Sequence, residues 1–329
     1  MRAGCPGLND TILQLDNASG PLVSVGIPTY NRPDGLRRTL ECITGQTYQN
    51  LEIIVSDNCS PGSETDDIVR EFVSKDSRIQ YYRQEINQGP TNNLKFVLEK
   101  ATGEYFMWAA DDDEWESRFV DRLLDFMQRS DAAVVMCSVK RIYDFDNVVD
   151  IVRYRLLLQP DYNQFRLAVF AASHDVITFY IYGLYRTRIL KKFSKNLDNT
   201  FGKDLVVLCE LLLSAKIGYV DEVLHIRRIH IKRTAELYSQ EEIGKYYGDP
   251  FNYLRLFFSF GPYLLRSSNI PLKPKFWIPC MVFRQGIWVS GIYLNQIFNR
   301  FLSIARKNSQ VDKIASRLST ELKNRKRSE

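Results

Sequence analysis

The chain has 329 residues, of which 45% are apolar and 25% are charged. These values are typical of globular proteins and exclude both wholesale disorder and a multi-pass membrane protein. Six cysteines lie far apart, with no CxxC pair, so we expect reduced thiols and neither a disulfide framework nor a zinc site. No charged segment followed by an apolar one opens the chain, which predicts no secretory signal and a cytoplasmic location.

Strand-like and helix-like segments alternate after a loose N-terminal arm, residues 1–20. Short β-branched runs predict strands, and apolar residues at helical spacing predict helices between them. Such alternation predicts an α/β fold with an open, mostly parallel central sheet, whose ligands bind beyond the carboxyl ends of the strands. The predicted strands span 22–28, ended by Pro28, then 51–58, 79–83 and 104–110, and the predicted helices span 36–43, 65–75 and 91–101.

Polar segments follow three of these strands directly: Thr29 to Asn31, Asp57 to Asn58, and Asp111 to Asp113. We expect all three in one crevice, because the carboxyl ends of parallel strands meet at one sheet edge. Asp57 alone is equally consistent with an ordinary Asx turn. Three adjacent carboxylates repel one another, and a divalent cation or strong hydrogen-bond donors relieve that repulsion best. The acidic turn is therefore predicted to bind a ligand.

Three ordered segments resemble the successive signatures of family 2 glycosyltransferases of the GT-A fold: "VSVGIPTYNR", "IIVSDNCS" and "NQGPTNNLKFVLEKATGEYFMWAADDDEW". The resemblance is strong over residues 21 to about 130 and thinner to about 235. It implies a nucleotide-sugar-binding half at 21–130, an acceptor-side half at 131–240, and a helical, aromatic and basic extension at 241–329.

The same resemblance implies roles for individual residues. Thr29 and Tyr30 line the nucleotide base pocket, and Asp57 accepts a hydrogen bond from the base. Asn87 and Gly89, in "NQG", shape the adjacent loop. Asp111 lies near the ribose.

The resemblance also implies a metal that bridges the donor diphosphate, and oxygen ligands suit Mn²⁺ or Mg²⁺. A hard divalent ion neutralises the charge of the leaving diphosphate. One register of the family's Asp-x-Asp pattern places Ala110 at the first position and makes Asp112 the metal ligand. The other register starts at Asp111 and selects Asp113.

The catalytic base is expected in the second half, because a carboxylate must take the proton from the attacking hydroxyl. In "NTFGKDLVVLCELLL", Asp204 occupies the place of the family's base, although Lys203 stands where Glu is common. The alternative is an ordinary acid at a helix N-terminus. His230 stands where some relatives place a residue near the metal. The alternative is that His230 is an ordinary packed or solvated histidine. Arg227 and Arg228 either meet phosphate or lie on the surface.

Aromatic residues in the acceptor-side half have two interpretations. Tyr180, Tyr182 and Tyr185 either stack on a sugar or pack in a core.

The Gln-x-x-Arg-Trp signature of processive polysaccharide synthases is missing from the sequence, since "RQGIW" at 284–288 is a different motif. One sugar is therefore expected to be added per encounter.

The C-terminal part is aromatic and basic. Residues 251–301 contain no clean stretch of about 20 apolar residues, which a transmembrane helix needs. Aromatic residues beside Lys273, Lys275 and Arg284, with the basic tail at 321–329, fit peripheral contact with the inner face of a membrane. The alternatives are a packed helical subdomain, a homodimer surface and, for the tail, simple solvation.

Together these features predict a metal-dependent, inverting glycosyltransferase. It moves one sugar from a nucleotide-sugar donor to a saccharide or lipid-linked saccharide acceptor, as in cell-surface glycan assembly, with no nucleic-acid partner. The alternatives are a retaining transferase or a nucleotidyltransferase on a similar sheet. A catalytically silent sugar-nucleotide or glycan-binding relative is a third, suggested by Ala110 and Lys203.

Overall fold

The structure is a computed structural model that describes residues 20–143, 149–153, 181–195, 203–229, 261–276 and 278–279. Contacts within the chain define two compact units. The first comprises residues 1–162 and 177–231, and the second comprises residues 163–176 and 232–329. The domain boundaries expected from the sequence stay a prediction.

One mixed sheet forms the centre of the first unit. Its strand order is β3-β2-β1-β4-β8-β6-β9-β5, and β7 pairs with β6. The strands are β1 (Val23–Thr29), β2 (Leu51–Asp57), β3 (Ile79–Arg83), β4 (Tyr105–Trp108), β5 (Glu114–Trp115), β6 (Val134–Tyr143), β7 (Val149–Val152), β8 (Leu184–Arg186) and β9 (Ile217–Ile229).

Helices connect and cover these strands. They are α1 (Pro33–Thr44), α2 (Glu64–Val73), α3 (Pro90–Lys100), α4 (Phe119–Gln128), α5 (Thr187–Ser194) and α6 (Lys203–Ser214). The first half is βαβαβαβ, and its strands β3, β2, β1 and β4 are parallel. The expected α/β GT-A arrangement with a central, mostly parallel sheet is confirmed in this half, whereas β5, β7 and β8 pair antiparallel.

The strand order reverses at β1. The chain passes from β1 to β2 and β3 on one side and then returns to β4 on the other. In open α/β sheets such a reversal opens a crevice at the carboxyl ends of the strands, where ligands bind. The residues that end β1, β2 and β4 therefore surround one crevice.

The predicted elements of this half differ from the observed ones by up to three residues at their ends, and Pro28 explains one difference. Proline was expected to end the first strand, but β1 continues through it to Thr29, and Pro28 pairs with Ser56 of β2. The Thr29 carbonyl accepts a hydrogen bond from Asn58 N, so Pro28 faces the opposite neighbour, β4. The β1–β4 pairing ends at Gly26 and Trp108, so the missing N–H of Pro28 breaks no ladder bond.

Both faces of the parallel strands are buried. Val25 and Ile27 of β1 share a core with Leu36 and Leu40 of α1. On the other face α3 approaches closely, since a Cβ on Gly26 would lie 2.7 Å from Val97 Cγ2. Burial on both faces fixes the strand ends, and with them the crevice.

The second unit is described over a short part of its length. Residues 261–266 are helical, and a short helix spans Leu272–Lys275. Over the portion of the chain that the structure covers, no helix has the length and apolar character needed to cross a membrane.

Candidate active site

The ends of β1, β2 and β4 are joined by hydrogen bonds. Asn58 N, just after β2, donates to the Thr29 carbonyl at 2.9 Å. Thr29 Oγ1, at the end of β1, donates to Asp111 Oδ2 at 2.8 Å. The three polar segments therefore lie side by side at one sheet edge, and two acids of the turn, Asp111 and Asp113, are buried.

A guanidinium group lies against the first two acids of the turn. Arg32 Nη1 is 3.0 Å from Asp111 Oδ1 and 2.6 Å from Asp112 Oδ2. Burial lowers the pKa of Arg32, but the charges of Asp111 and Asp112 outweigh it, and the pKa is raised. In this structure the repulsion within the turn is therefore relieved by an arginine from the loop after β1.

The third acid points to the other half of the sheet. His225 Nε2, on β9, lies 2.9 Å from Asp113 Oδ2, and Arg228 N donates to Asp113 Oδ1 at 3.3 Å. The His225 ring stacks on Trp115 with centroids 5.2 Å apart and meets the edge of Tyr182. Both carboxylate oxygens of Asp113 thus have protein partners.

Residues of helix α1 pack against the backbone of the acidic turn. Thr39 Oγ1 lies 2.9 Å from the Ala110 carbonyl and 3.0 Å from the Asp113 carbonyl, so its hydroxyl proton is shared between them. One turn earlier, a Cβ on Gly35 would lie 2.3 Å from the Asp111 carbonyl oxygen. The start of α1 therefore touches the backbone of the acidic turn directly.

Asp57 ends β2 and is fully buried. Its Oδ1 accepts hydrogen bonds from Ser60 N, at 2.9 Å, and from Ser60 Oγ. Its buried Oδ2 has no hydrogen-bond partner within the described part of the chain. Arg83 Nε pairs with it electrostatically at 3.6 Å, which is too long for a hydrogen bond. This oxygen is an acceptor that still requires a donor.

The loop that contains Asn87 and Gly89 is tied to the end of β2. Asn58 Nδ2 donates to Asn87 Oδ1 at 2.7 Å, and Gly89 N donates to the same oxygen at 2.9 Å. Gly89 has a φ of 84°, which favours glycine, and Pro90 then begins α3. Tyr30 is 43% exposed at the end of β1. The residues expected to bind the nucleotide thus border one crevice, although their roles stay a prediction.

Other expected site residues have mixed outcomes. Arg228 Nε binds Glu114 Oε1 at 2.6 Å, so this guanidinium already has an acidic partner. Tyr185 is fully buried in the core, as the packing interpretation expected, and Tyr182 contacts His225. Asp204 lies at the start of α6, but its side chain is outside the description. His230 and Tyr180 also lie outside the described residues.

Carboxylate chemistry alone does not complete a metal site here. Within the described ranges, no group of three or more His, Cys, Asp or Glu side chains could hold a metal ion. Asp112 is the acid of the turn that reaches solvent furthest, with 22% of its side chain exposed, against 9% for Asp111 and 3% for Asp113. A metal that binds here needs oxygen ligands from the substrate and water, which is how Mg²⁺ commonly binds.

Two contacts of the site had weak signals in the sequence. Arg32 lies in the "TYNR" segment, but no local pattern marks its role, because its partners follow 79 and 80 residues later. His225 interrupts a β-rich run, and a single histidine is uninformative without its partner. A parallel α/β sheet with acids at its reversal point is typical of α/β proteins that bind nucleotides.

Comparison with protein families identifies the chain more closely. The sequence profile described as "Glycosyl transferase family 2" matches residues 24–193. The protein therefore belongs to this family, as the resemblance implied.

Similar proteins carry related names. A Campylobacter jejuni protein named "GalNAc(5)-diNAcBac-PP-undecaprenol beta-1,3-glucosyltransferase" is 37% identical over 105 residues, which are 32% of this chain and 34% of that protein. The Bacillus subtilis "Putative teichuronic acid biosynthesis glycosyltransferase TuaG" is 33% identical over 113 residues, which are 34% of this chain and 44% of that protein. The chain therefore matches less than half the length of these relatives.

Solved structures support the fold. Staphylococcus aureus TarS 1–349, in complex with UDP-GlcNAc, has a TM-score of 0.61 at 17% identity, covering 80% of this chain and 72% of that chain. The mannosyltransferase PcManGT from Pyrobaculum calidifontis, in complex with GDP-Man and Mn²⁺, has a TM-score of 0.52 at 15% identity, covering 85% and 77%. At these identities the likeness concerns the fold.

Proposed function

We propose that this glycosyltransferase transfers one sugar, with inversion, from a nucleoside-diphosphate sugar to a saccharide or lipid-linked saccharide. The observation that carries the proposal is the buried Asp57 Oδ2 at the end of β2, which lacks a hydrogen-bond donor among the described residues. A base with a ring N–H would supply that donor. Asp57, Thr29, Tyr30, Asn87 and Gly89 then form the base pocket, with Asp111 beside it for the ribose.

The acidic turn fits a metal ion that acts together with the donor. Asp112 is the residue that would hold Mn²⁺ or Mg²⁺, because its carboxylate reaches solvent whereas Asp113 is buried and bound by His225. When bound, the ion would neutralise the negative charge of the departing diphosphate. His230 remains a candidate second ligand from the sequence. Because His230 lies outside the described residues, the proposed metal site rests on Asp112.

A carboxylate of this protein would accept the proton of the attacking hydroxyl. The acceptor hydroxyl attacks the anomeric carbon, a new C–O bond forms, and the bond from that carbon to the phosphate oxygen breaks. The carboxylate of Asp204 takes the hydroxyl proton, and the nucleoside diphosphate leaves with the bonding electrons. Attack opposite the leaving group inverts the configuration at carbon. Asp204 is the second residue of helix α6.

The acceptor is proposed from the relatives and from the second unit. The name of the Campylobacter jejuni relative describes a saccharide on undecaprenyl diphosphate as its substrate. In this chain Leu272 is 86% exposed and Phe276 is 77% exposed, and Lys275 lies between them. Apolar side chains beside a cation suit the surface of an anionic leaflet. We therefore include peripheral contact with the membrane, through residues 251–329, in the proposal.

The test measures binding and turnover separately. UDP-sugars and GDP-sugars are screened by thermal shift with and without Mn²⁺, because a ligand of the folded state raises the melting temperature. Asp57→Asn is expected to weaken nucleotide binding by about 10-fold or more, since one hydrogen bond to a charged group contributes about 1.5–3 kcal/mol. Glu71→Gln, which removes an exposed carboxylate on α2, is the matched control.

Turnover then decides between the proposal and its alternatives. Donor hydrolysis that depends on Mn²⁺ or Mg²⁺ and is largely lost in Asp204→Asn supports an inverting transferase with Asp204 as base. Undiminished hydrolysis in that variant removes Asp204 from the role. Nucleotide binding without hydrolysis under any metal would identify a silent binding relative, and a product with retained configuration would identify a retaining transferase.

A further inference from the structure

Arg32 binds Asp111 and Asp112, the two acids of the turn whose side chains are more exposed than that of Asp113. Its Nη1 atom lies within hydrogen-bond distance of both Asp111 Oδ1 and Asp112 Oδ2. Asp112 is also the carboxylate assigned above to the metal. One oxygen of Asp112 therefore already has a cationic partner inside the protein.

A guanidinium and a divalent ion compete for the same carboxylate. Two cations bound at one carboxylate repel each other, and the repulsion grows with the charge of the ion. A divalent ion at Asp112 must therefore displace Arg32 or accept a cation beside it. With Arg32 in place, the acids alone form a weak metal site.

The donor changes this balance because its diphosphate is anionic. Guanidinium groups bind phosphate oxygens in a two-pronged geometry, so a diphosphate offers Arg32 a second partner. Arg32 lies on the short loop between β1 and α1, and 27% of its side chain is exposed. It can therefore turn towards the crevice without rearrangement of the sheet.

We infer that Arg32 is an internal counter-ion that weakens metal binding to the donor-free acidic turn and couples metal binding to the arrival of the donor diphosphate. The inference rests on the proposed function, since it assigns a regulator to the same site. It makes the metal and the nucleotide bind cooperatively. It also places Arg32 against phosphate oxygens in the loaded enzyme.

The experiment measures Mn²⁺ affinity by electron paramagnetic resonance, with the Mn²⁺ held by free nucleotide subtracted. In the wild type, saturating UDP or GDP is expected to raise Mn²⁺ affinity by about 5- to 150-fold, the usual range of coupling between two sites. In Arg32→Gln, Mn²⁺ affinity without nucleotide is expected to rise about 10-fold, and the enhancement by nucleotide should shrink correspondingly. The matched control is Arg37→Gln, which removes one arginine from α1 that pairs with Glu71. It should behave as the wild type.

Three outcomes separate the inference from the proposed function. Equal Mn²⁺ affinity of wild type and Arg32→Gln without nucleotide overturns the inference and leaves the proposed function standing. If neither UDP nor GDP promotes Mn²⁺ binding in any variant, both the inference and the proposed function are overturned. If Arg32→Gln does not fold, the melting temperature of the wild type decides. The inference is overturned if Mn²⁺ alone raises that temperature as much as Mn²⁺ and nucleotide do together.

Discussion

His225 and Asp113 form a buried pair that joins the two halves of the sheet. His225 Nε2 lies 2.9 Å from Asp113 Oδ2, and the two side chains are 0% and 3% exposed. Asp113 follows β4, whereas His225 belongs to β9, 112 residues later. His225 Nδ1 is buried with no hydrogen-bond partner in the described part of the protein. A carboxylate oxygen accepts hydrogen bonds, so Nε2 of His225 is the donor in this pair.

We expect loss of the imidazole to destabilise the protein through Asp113. His225→Phe keeps an aromatic ring against Trp115 but leaves a buried carboxylate without its donor, which should cost about 3 kcal/mol in the free energy of unfolding. Adding Asp113→Asn removes the charge, so the double variant should lose less than the sum of the single variants by about 1 kcal/mol or more. Urea unfolding of the four proteins measures this coupling, and strictly additive losses would contradict the pair.

Substitution of Asp112 should mainly weaken metal binding, whereas substitution of Asp113 should mainly lower stability. Residues that only hold the metal ligands in place typically contribute about 10- to 100-fold to metal affinity. Asp112 is proposed to touch the metal directly, so Asp112→Asn should lower nucleotide-dependent Mn²⁺ affinity by at least about 100-fold. Asp113→Asn should lower the free energy of unfolding and change that affinity by about 10-fold at most. The two substitutions are adjacent and isosteric, so each is the control for the other. The reverse order of effects would assign the metal to Asp113.

The sheet that holds these residues was largely predictable. β-branched runs such as Leu51–Asp57 and the helical spacing of the segment that became α1 gave the alternation of the first four strands. The antiparallel β5 was missed, because its two residues carry no periodicity. Their pairing with β9 depends on a strand that lies about 110 positions away along the chain.

The chemistry of the site was predictable only in part. The position of Asp57 and of the acidic turn followed from where the strands end. The partners of the acids did not follow, because Arg32 and His225 reach them through tertiary contacts that no local pattern encodes. The sequence allowed either a divalent cation or strong donors to relieve the three carboxylates, and the structure supplies an arginine and a histidine.

Gly35 should resist substitution, contrary to its place in a helix. Gly→Ala inside a helix normally stabilises by up to about 1 kcal/mol. A Cβ at Gly35, however, would lie 2.3 Å from the Asp111 carbonyl oxygen, which is backbone and cannot rotate away. Gly35→Ala should therefore destabilise by about 1–3 kcal/mol and displace the acidic turn, with loss of nucleotide binding in the thermal-shift assay. A more stable variant with unchanged nucleotide binding would show that α1 and the turn can separate.

Glu52 should make stability depend on pH without touching the crevice. This carboxylate on β2 accepts hydrogen bonds from Ser24 Oγ, Thr102 Oγ1 and the backbone N–H groups of Thr102 and Gly103, so it fixes the loop before β4. Burial raises its pKa, but these hydrogen bonds outweigh burial and lower the pKa below its usual value. A carboxyl group with a lowered folded-state pKa stabilises fully above its unfolded pKa, about 4.3, and the contribution is lost as the pH falls through the folded pKa.

Glu52→Gln removes the charge but keeps the size, and it brings an amide N–H₂ among groups that are already donors. Unfolding in urea at pH 7 should therefore show a loss of about 2–3 kcal/mol relative to wild type. The difference should shrink as the pH falls below about 4, because the unfolded wild-type chain then binds a proton at Glu52 more readily than the folded protein does. A penalty that stays constant from pH 7 to pH 3 would mean that Gln fails through its shape, and that the charge of Glu52 does not hold the loop. Nucleotide binding at pH 7 should persist in the folded variant, because these contacts lie at the amino end of β4, away from the acidic turn.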